Sequence, residues 1–198
     1  MVAIGYPTLV NHNKASYRTR LFLQAGLLQL NSFRHVRNVH ILGEYITLEE
    51  AIIRREVLRK NGKTLVFTNG HFDLLHIGHL DYLEKARALG DALYLGLNGD
   101  DCTTRLKGEG RPLVPANDRV RLLAALMPVT AVIVFEEDTA DNMITMLQPD
   151  IYAKGSDYAT KHLPERPTVA AYGGRIELID YLQDRSTSAL IAKIKALP

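Results

Sequence analysis

Residues 64–97 read TLVFTNGHFDLLHIGHLDYLEKARALGDALYLGL, and a fold can be argued outward from them. Thr64–Thr68 is a short apolar run of the kind that forms a strand buried on both faces. His79–Leu89 places Leu80, Leu83 and Ala86 at helical spacing, and Gly90 stops the helix. Ala92–Leu97 is a second apolar run. Two buried strands joined by a helix imply a right-handed crossover and parallel pairing.

The alternation continues in both directions. Upstream, Thr47-Leu-Glu-Glu50 has the form of a capping box, with Ala51, Ile52, Arg55 and Leu58 following at helical spacing and Gly62 closing the helix. Downstream, Asn117–Met127 predicts a helix and Ala131–Phe135 a strand. Thr139–Leu147 predicts a helix capped near Thr139 or Asp141, and Ile151–Lys154 a strand. Pro167–Tyr172 reads as a short helix, Arg175–Ile179 as a strand and Thr187–Leu197 as the closing helix. The expected fold is α/β: a doubly wound, Rossmann-like, mainly parallel sheet, forming a single domain over residues 43–198 with an N-terminal extension over residues 1–42. In such sheets ligands sit beyond the carboxyl ends of the strands.

Composition narrows the classes. With 46% hydrophobic residues the chain can bury a sizeable core, which excludes a fibrous or disordered protein. The lone cysteine, Cys102, reads as a small residue at a strand end and suits a reducing, cytoplasmic setting. No apolar run approaches the ~18 residues of a membrane span. The net charge of +2 is uneven: residues 1–42 hold five of the 24 basic residues and none of the 22 acidic ones. The mildly acidic remainder gives no reason to expect nucleic acid as a partner. Three readings of the basic extension stand: an over-long start, a docking segment, or a targeting peptide.

The chemistry concentrates where the first strand meets the next helix. Asn69–Gly70 follow the strand and His76-Ile-Gly-His79 opens the helix. Free amides and a partial positive charge make a helix N-terminus a phosphate site, and Gly78 lets the backbone approach closely. The His-x-Gly-His spacing, preceded by Gly70-His71-Phe72-Asp73, resembles the signature of the nucleotidyltransferase superfamily of cytidylyltransferase-like proteins. Further stretches extend the likeness over residues 45–197: Asn98-Gly99-Asp100, Arg105-Leu106-Lys107-Gly108, Arg111-Pro112, Phe135-Glu136-Glu137-Asp138-Thr139, Lys154-Gly155-Ser156-Asp157-Tyr158 and Ser186-Thr187-Ser188. These are most similar to the adenylyltransferase domains of bacterial ADP-heptose synthases, the D-glycero-β-D-manno-heptose 1-phosphate adenylyltransferases.

The resemblance implies transfer of AMP from ATP to a sugar 1-phosphate, with pyrophosphate released and Mg²⁺ carried chiefly by the nucleotide. It implies that His76, His79 and Lys107 are catalytic, Lys107 lying on a mobile glycine-flanked loop. It assigns nucleotide or phosphate binding to Asn69, Gly70, Phe72, Asp73, Gly78, Asn98, Arg105, Arg111, Lys154, Asp157, Ser186, Thr187 and Ser188. No protein-held metal cage is required, the partners are small molecules, and a homodimer is compatible with the family. Simpler roles compete: Asp73 bracing its loop, Phe72 packing, Ser186–Ser188 capping a helix, Asp118-Arg119 forming a cap and a surface ion pair, and Glu136–Asp138 making a solvated turn. His71, Ser156 and Thr130 depart from the family pattern, and His71, like His35, His40 and His162, suggests no function by itself. A CTP-dependent enzyme acting on glycerol 3-phosphate or a similar alcohol phosphate, and an inactive nucleotide-binding regulator, remain as alternatives.

Overall fold

The computed structural model describes residues 43–182 and 185–197, so the predicted extension over residues 1–42 lies outside the described residues. In chain order the elements are β1 (Glu44–Tyr45), α1 (Leu48–Lys60), β2 (Leu65–Gly70), α2 (Ile77–Arg87), β3 (Ala92–Asn98), α3 (Asp100–Lys107) and α4 (Ala116–Ala124). They continue with β4 (Ala131–Phe135), α5 (Asp141–Leu147), β5 (Ile151–Gly155), a 3₁₀ turn (Ser156–Ala159), α6 (Arg166–Ala171), β6 (Arg175–Ile179) and α7 (Thr187–Lys195). The six strands form one sheet in the order β1-β4-β3-β2-β5-β6, with every pairing parallel. The sheet is doubly wound, as expected. Among the described residues no helix is long and apolar enough to cross a membrane.

Strand alternation explains the two-sided core. Leu65 and Phe67 of β2 point to one face, with Tyr94, Ile133 and Tyr152, and pack under α1, α5 and α6. Val66 points to the other face, with Leu93, Leu95 and Val132, and packs under α2 and α4 through Leu83, Ala86 and Leu123. Burial of both faces is why these strands read as continuous apolar runs.

Three expectations about local structure are corrected. The capping box is half formed: Thr47 Oγ1 accepts from Glu50 N at 3.2 Å, but the Glu50 carboxylate accepts from Arg54 Nε at 3.2 Å and Nη2 at 2.6 Å. Residues 100–107 form a helix that the apolar pattern does not announce, so Lys107 is the last residue of α3 and not part of a loop. The turn that follows does use glycine, with Gly108 at φ 95° and Gly110 at φ 79°. Cys102 lies within α3 and is fully buried, its thiol donating to Glu137 O at 3.1 Å.

The sheet opens at one place. Beside β3, β2 stays paired through Gly70↔Leu97, but beside β5 its pairing covers only Val66↔Ile151 and Phe67↔Tyr152. Past that point β2 and β5 diverge, and β5 continues alongside β6 to Gly155↔Ile179. Tyr82 of α2 bridges the gap: its hydroxyl sits 2.7 Å from Thr68 Oγ1 and donates to Ala153 O at 2.9 Å. The crevice lies at the carboxyl end of the central strands, where doubly wound sheets bind ligands.

Candidate active site

A cavity of about 760 Å³ occupies this crevice. Its walls come from the end of β2 with the start of α2, the end of β3 with α3, Asp138 after β4, the end of β5 with the segment that follows, Tyr181 and Leu182 after β6, and the start of α7. Of the residues singled out in the sequence, Asn69, Gly70, Phe72, His76, Gly78, His79, Asn98, Lys107, Lys154, Asp157, Ser186 and Thr187 all line it.

His76 is the N-cap of α2, and His79 lies in the first helical turn. Three residues apart on a helix, the imidazoles share one face; their rings stack with centroids 3.8 Å apart, and Phe72 lies 5.1 Å from His79. Burial, then the neighbouring His76, lowers the pKa of His79 to about 4. Burial also lowers that of His76. Each ring keeps a buried Nδ1 without a hydrogen-bond partner among the described residues. Unsatisfied buried polar atoms of this kind cost about 1–3 kcal/mol each and mark a site preorganised for something else. Gly78 between them has a packing reason: a Cβ there would lie 3.0 Å from Arg185 O. The start of α7 is therefore seated directly on the start of α2.

The β5 wall is held by Asn69, whose Oδ1 accepts from Tyr152 Oη at 2.6 Å and Lys154 Nζ at 3.2 Å. Lys154 is buried, and its ammonium lies 4.7 Å from the centre of the Tyr158 ring. Burial lowers its pKa, against the opposing pull of Glu165 and Asp157. Glu165, only 4% exposed, accepts from Ala140 N at 3.2 Å and lines the same wall.

Four predicted residues stand outside the cavity lining. Asp73 braces the neighbouring loop, its Oδ1 accepting from Leu113 N at 2.7 Å and Val114 N at 2.9 Å. Arg111 pairs with the same carboxylate, Nε to Oδ2 at 3.1 Å. Arg105 is turned to Asp138, with Nη2 2.9 Å from Oδ1, and also donates to Glu136 O. Ser188 lies inside α7, one turn position past the cavity residues Ser186 and Thr187. Ser186 does cap α7, accepting from Ala189 N at 3.1 Å, and Thr187 Oγ1 donates to Leu74 O at 3.3 Å.

Two simpler readings also need revision. Arg119 is fully buried and not a surface residue. Its guanidinium donates to Val114 O at 2.8 Å, His71 O at 2.6 Å, Asn98 O at 2.8 Å and Asp100 Oδ1 at 2.7 Å. Glu136 is not simply part of a solvated turn: its Oε2 accepts from Cys102 N at 2.9 Å and so caps α3 from outside. The carboxylate fits because residue 99 is glycine; a Cβ there would lie 1.7 Å from Glu136 Oε1. His71 and Tyr158, which the sequence offered only as a departure from the family pattern and as part of the Lys154–Tyr158 stretch, also line the cavity, and sequence reasoning missed Glu165, Tyr181 and Arg185. For His71 the signal was present in its place between Gly70 and Phe72, both lining residues, whereas Glu165 and Tyr181 join the site only through tertiary packing.

Comparison with known proteins places these observations. The profile described as cytidylyltransferase-like matches residues 67–185. The chain is 52% identical over 139 residues to the bifunctional protein HldE of Syntrophotalea carbinolica, covering 70% of this chain and 28% of that protein. It is 48% identical over 193 residues to the bifunctional protein HldE of Methylobacillus flagellatus, covering 98% and 37% respectively. The chain thus spans about a third of the length of the curated relatives it matches. Among solved structures, that of the lipopolysaccharide core biosynthesis protein from Thermoplasma volcanium is similar, with TM-score 0.52 and 27% identity over 61% of this chain and 98% of that one.

Proposed function

The chain belongs to the cytidylyltransferase-like family of nucleotidyltransferases, and from that premise we propose that it transfers AMP from ATP to a sugar 1-phosphate, releasing pyrophosphate and forming an ADP-sugar. The proposed acceptor is D-glycero-β-D-manno-heptose 1-phosphate, which the sequence resemblance implies; the similar solved structure is that of a lipopolysaccharide core biosynthesis protein. The observation that carries the reaction type is the stacked pair His76 and His79 at the start of α2, facing a cavity whose other walls present Lys107 and the amino end of α7.

In the proposed step a phosphate oxygen of the acceptor attacks the α-phosphorus in line. The bond from that phosphorus to the oxygen bridging to the β-phosphate breaks, and pyrophosphate leaves with the electron pair. No side chain of the protein is bonded to the phosphorus at any stage. The protein's contribution is positioning and charge stabilisation. His76 and His79 donate hydrogen bonds to the α-phosphoryl group, while the start of α7, with Ser186 and Thr187, receives the departing phosphates. Lys107 neutralises acceptor phosphate, and the wall from Lys154 to Tyr158 receives the nucleoside. Mg²⁺ would enter with the nucleotide: among the described residues no cluster of three carboxylate, imidazole or thiol groups is placed to hold a metal. Bound to the phosphates, it supplies charge neutralisation.

The test is pyrophosphate release from a matrix of ATP and CTP against heptose 1-phosphate and glycerol 3-phosphate. Turnover with ATP and the sugar phosphate is expected. Turnover with CTP and glycerol 3-phosphate alone would overturn the adenylyl assignment, and binding of nucleotide with no turnover on any pair would support a regulator.

A further inference from the structure

Tyr82 lines the cavity from the middle of α2, yet the reaction just described gives it no part. It is buried, and its phenol reaches across the opening of the sheet. Ala153 stands one residue past the last β2–β5 pair, Phe67↔Tyr152, so its carbonyl lies where that ladder has stopped. A buried carbonyl costs free energy unless it finds a donor. Tyr82 Oη supplies one at 2.9 Å. A phenol has a single proton. With that proton given to Ala153 O, the 2.7 Å contact with Thr68 Oγ1 has Thr68 as donor and Tyr82 as acceptor. The bonds run from β2 through α2 to β5.

A second contact ties α2 to β5. The Tyr82 ring stacks on that of Tyr181, with centroids 5.9 Å apart. Tyr181 Oη in turn rests against Gly155, the last residue of β5, where a Cβ would lie 1.8 Å from that oxygen. The two elements carry different walls of the cavity. α2 opens with His76 and His79, six and three residues before Tyr82, and β5 carries Lys154 near its end. Residues three apart on a helix share a face. The anchorage of Tyr82 to β5 therefore sets the height and rotation at which the imidazoles stand against the β5 wall. Backbone pairing of β2 with β5 has ended before this level.

We propose that Tyr82 is a positioning residue: through its bond to Ala153 it sets the spacing between the phosphate wall at the start of α2 and the nucleoside wall at the end of β5. The proposal rests on the assignment above of phosphates to the starts of α2 and α7 and of the nucleoside to the wall from Lys154 to Tyr158. A ligand that spans both walls reads their spacing, and a ligand held by the first wall alone does not. An error of ~1 Å in such an alignment can cost about 100-fold in rate.

Two ligands separate this role from a merely structural one. Mg-ATP, which spans the walls, and Mg-tripolyphosphate, which lacks the nucleoside, are each titrated into the full chain and into its Y82F and T68V variants. Y82F keeps the ring and loses both hydroxyl bonds, whereas T68V loses one buried bond and keeps the one to Ala153. Urea unfolding measures the stability of each variant. Y82F is expected to weaken Mg-ATP about tenfold, ~1.4 kcal/mol, and Mg-tripolyphosphate by less than about twofold. T68V should lose stability yet bind both ligands as the parent does. Equal weakening of the two ligands in Y82F would overturn the proposal, as would unchanged binding of both. The same ATP-selective loss in T68V would also overturn it, and so would failure of Y82F to fold, which would make the hydroxyl purely structural. A parent chain that binds no Mg-ATP overturns it together with the nucleotide assignment. Absent pyrophosphate release by a parent chain that does bind Mg-ATP counts against the transfer reaction alone.

Discussion

At the scale of the residue, the imidazoles of the crevice make two predictions. On the proposed mechanism, replacing His76 or His79 by alanine removes a donor to the reacting phosphoryl group, and the expected loss is about 100–1,000-fold in kcat. The variants should melt close to the parent, because each ring leaves an unsatisfied Nδ1 in the unliganded fold. Retention of more than a tenth of the parent kcat in both would remove the pair from the mechanism. The second prediction concerns pH. His71 and His79 both titrate near 4 in the folded chain, against an ordinary value of 6.5. Between those values the unfolded chain binds protons that the folded chain refuses, so stability is greatest above the upper value and falls as pH drops toward the lower. Urea unfolding at pH 7 and pH 5 should show this loss, and an H71Q/H79Q variant should show less of it. An equal loss in the variant would assign the effect to other groups. The histidine pair was legible in the sequence because its members and their glycine are contiguous with the strand and helix that aim them. Glu165 was not, because only the packing of the segment before α6 brings it to Lys154.

At the scale of the element, α3 shows what a sequence pattern leaves out. Residues 100–107 carry few apolar side chains at helical spacing, so periodicity gives no helix. The helix is nucleated from outside by the Glu136 carboxylate on Cys102 N, and that contact requires the space left by Gly99. Loss of such a cap costs about 1 kcal/mol. Glu136→Ala and Gly99→Ala should each destabilise by roughly that amount, since an alanine methyl at residue 99 expels the carboxylate. The double variant should cost much less than the sum, because both changes break one contact. Additive losses in a denaturation cycle would mean that the two residues act independently. Lys107, placed at the end of this helix, inherits its position from that cap. The central parallel strands, in contrast, were readable to within a residue or two, as β4 illustrates, because burial on both faces leaves an unbroken apolar run; the two exposed residues of β1 gave no such signal.

At the scale of the whole molecule, the doubly wound sheet fixes where the site must be, and the divergence of β2 from β5 fixes its opening. Ligand binding should register globally: Mg-ATP at about one hundred times its Kd should stabilise the fold by ~2.7 kcal/mol, read as a rise in melting temperature. No rise with any nucleoside triphosphate would argue against the cavity as the nucleotide site. The topology was available from the order of apolar runs, but the joining of distant loops was not. Arg119 is the clearest case, a charged residue that looks superficial in sequence and ties four segments together in the interior. Its replacement by alanine leaves buried acceptors unpaired and should cost about 3–5 kcal/mol in a denaturation experiment.

The same guanidinium has a practical bearing on redesign. It grips backbone carbonyls at the ends of β2 and β3, so the frame holding His71 and Asn98 does not depend on which side chains occupy those positions. A mutagenesis library aimed at new acceptor phosphates can therefore randomise His71, Leu106 and Lys107 together. It should keep residue 119 as arginine, since lysine lacks the fork that reaches several carbonyls at once.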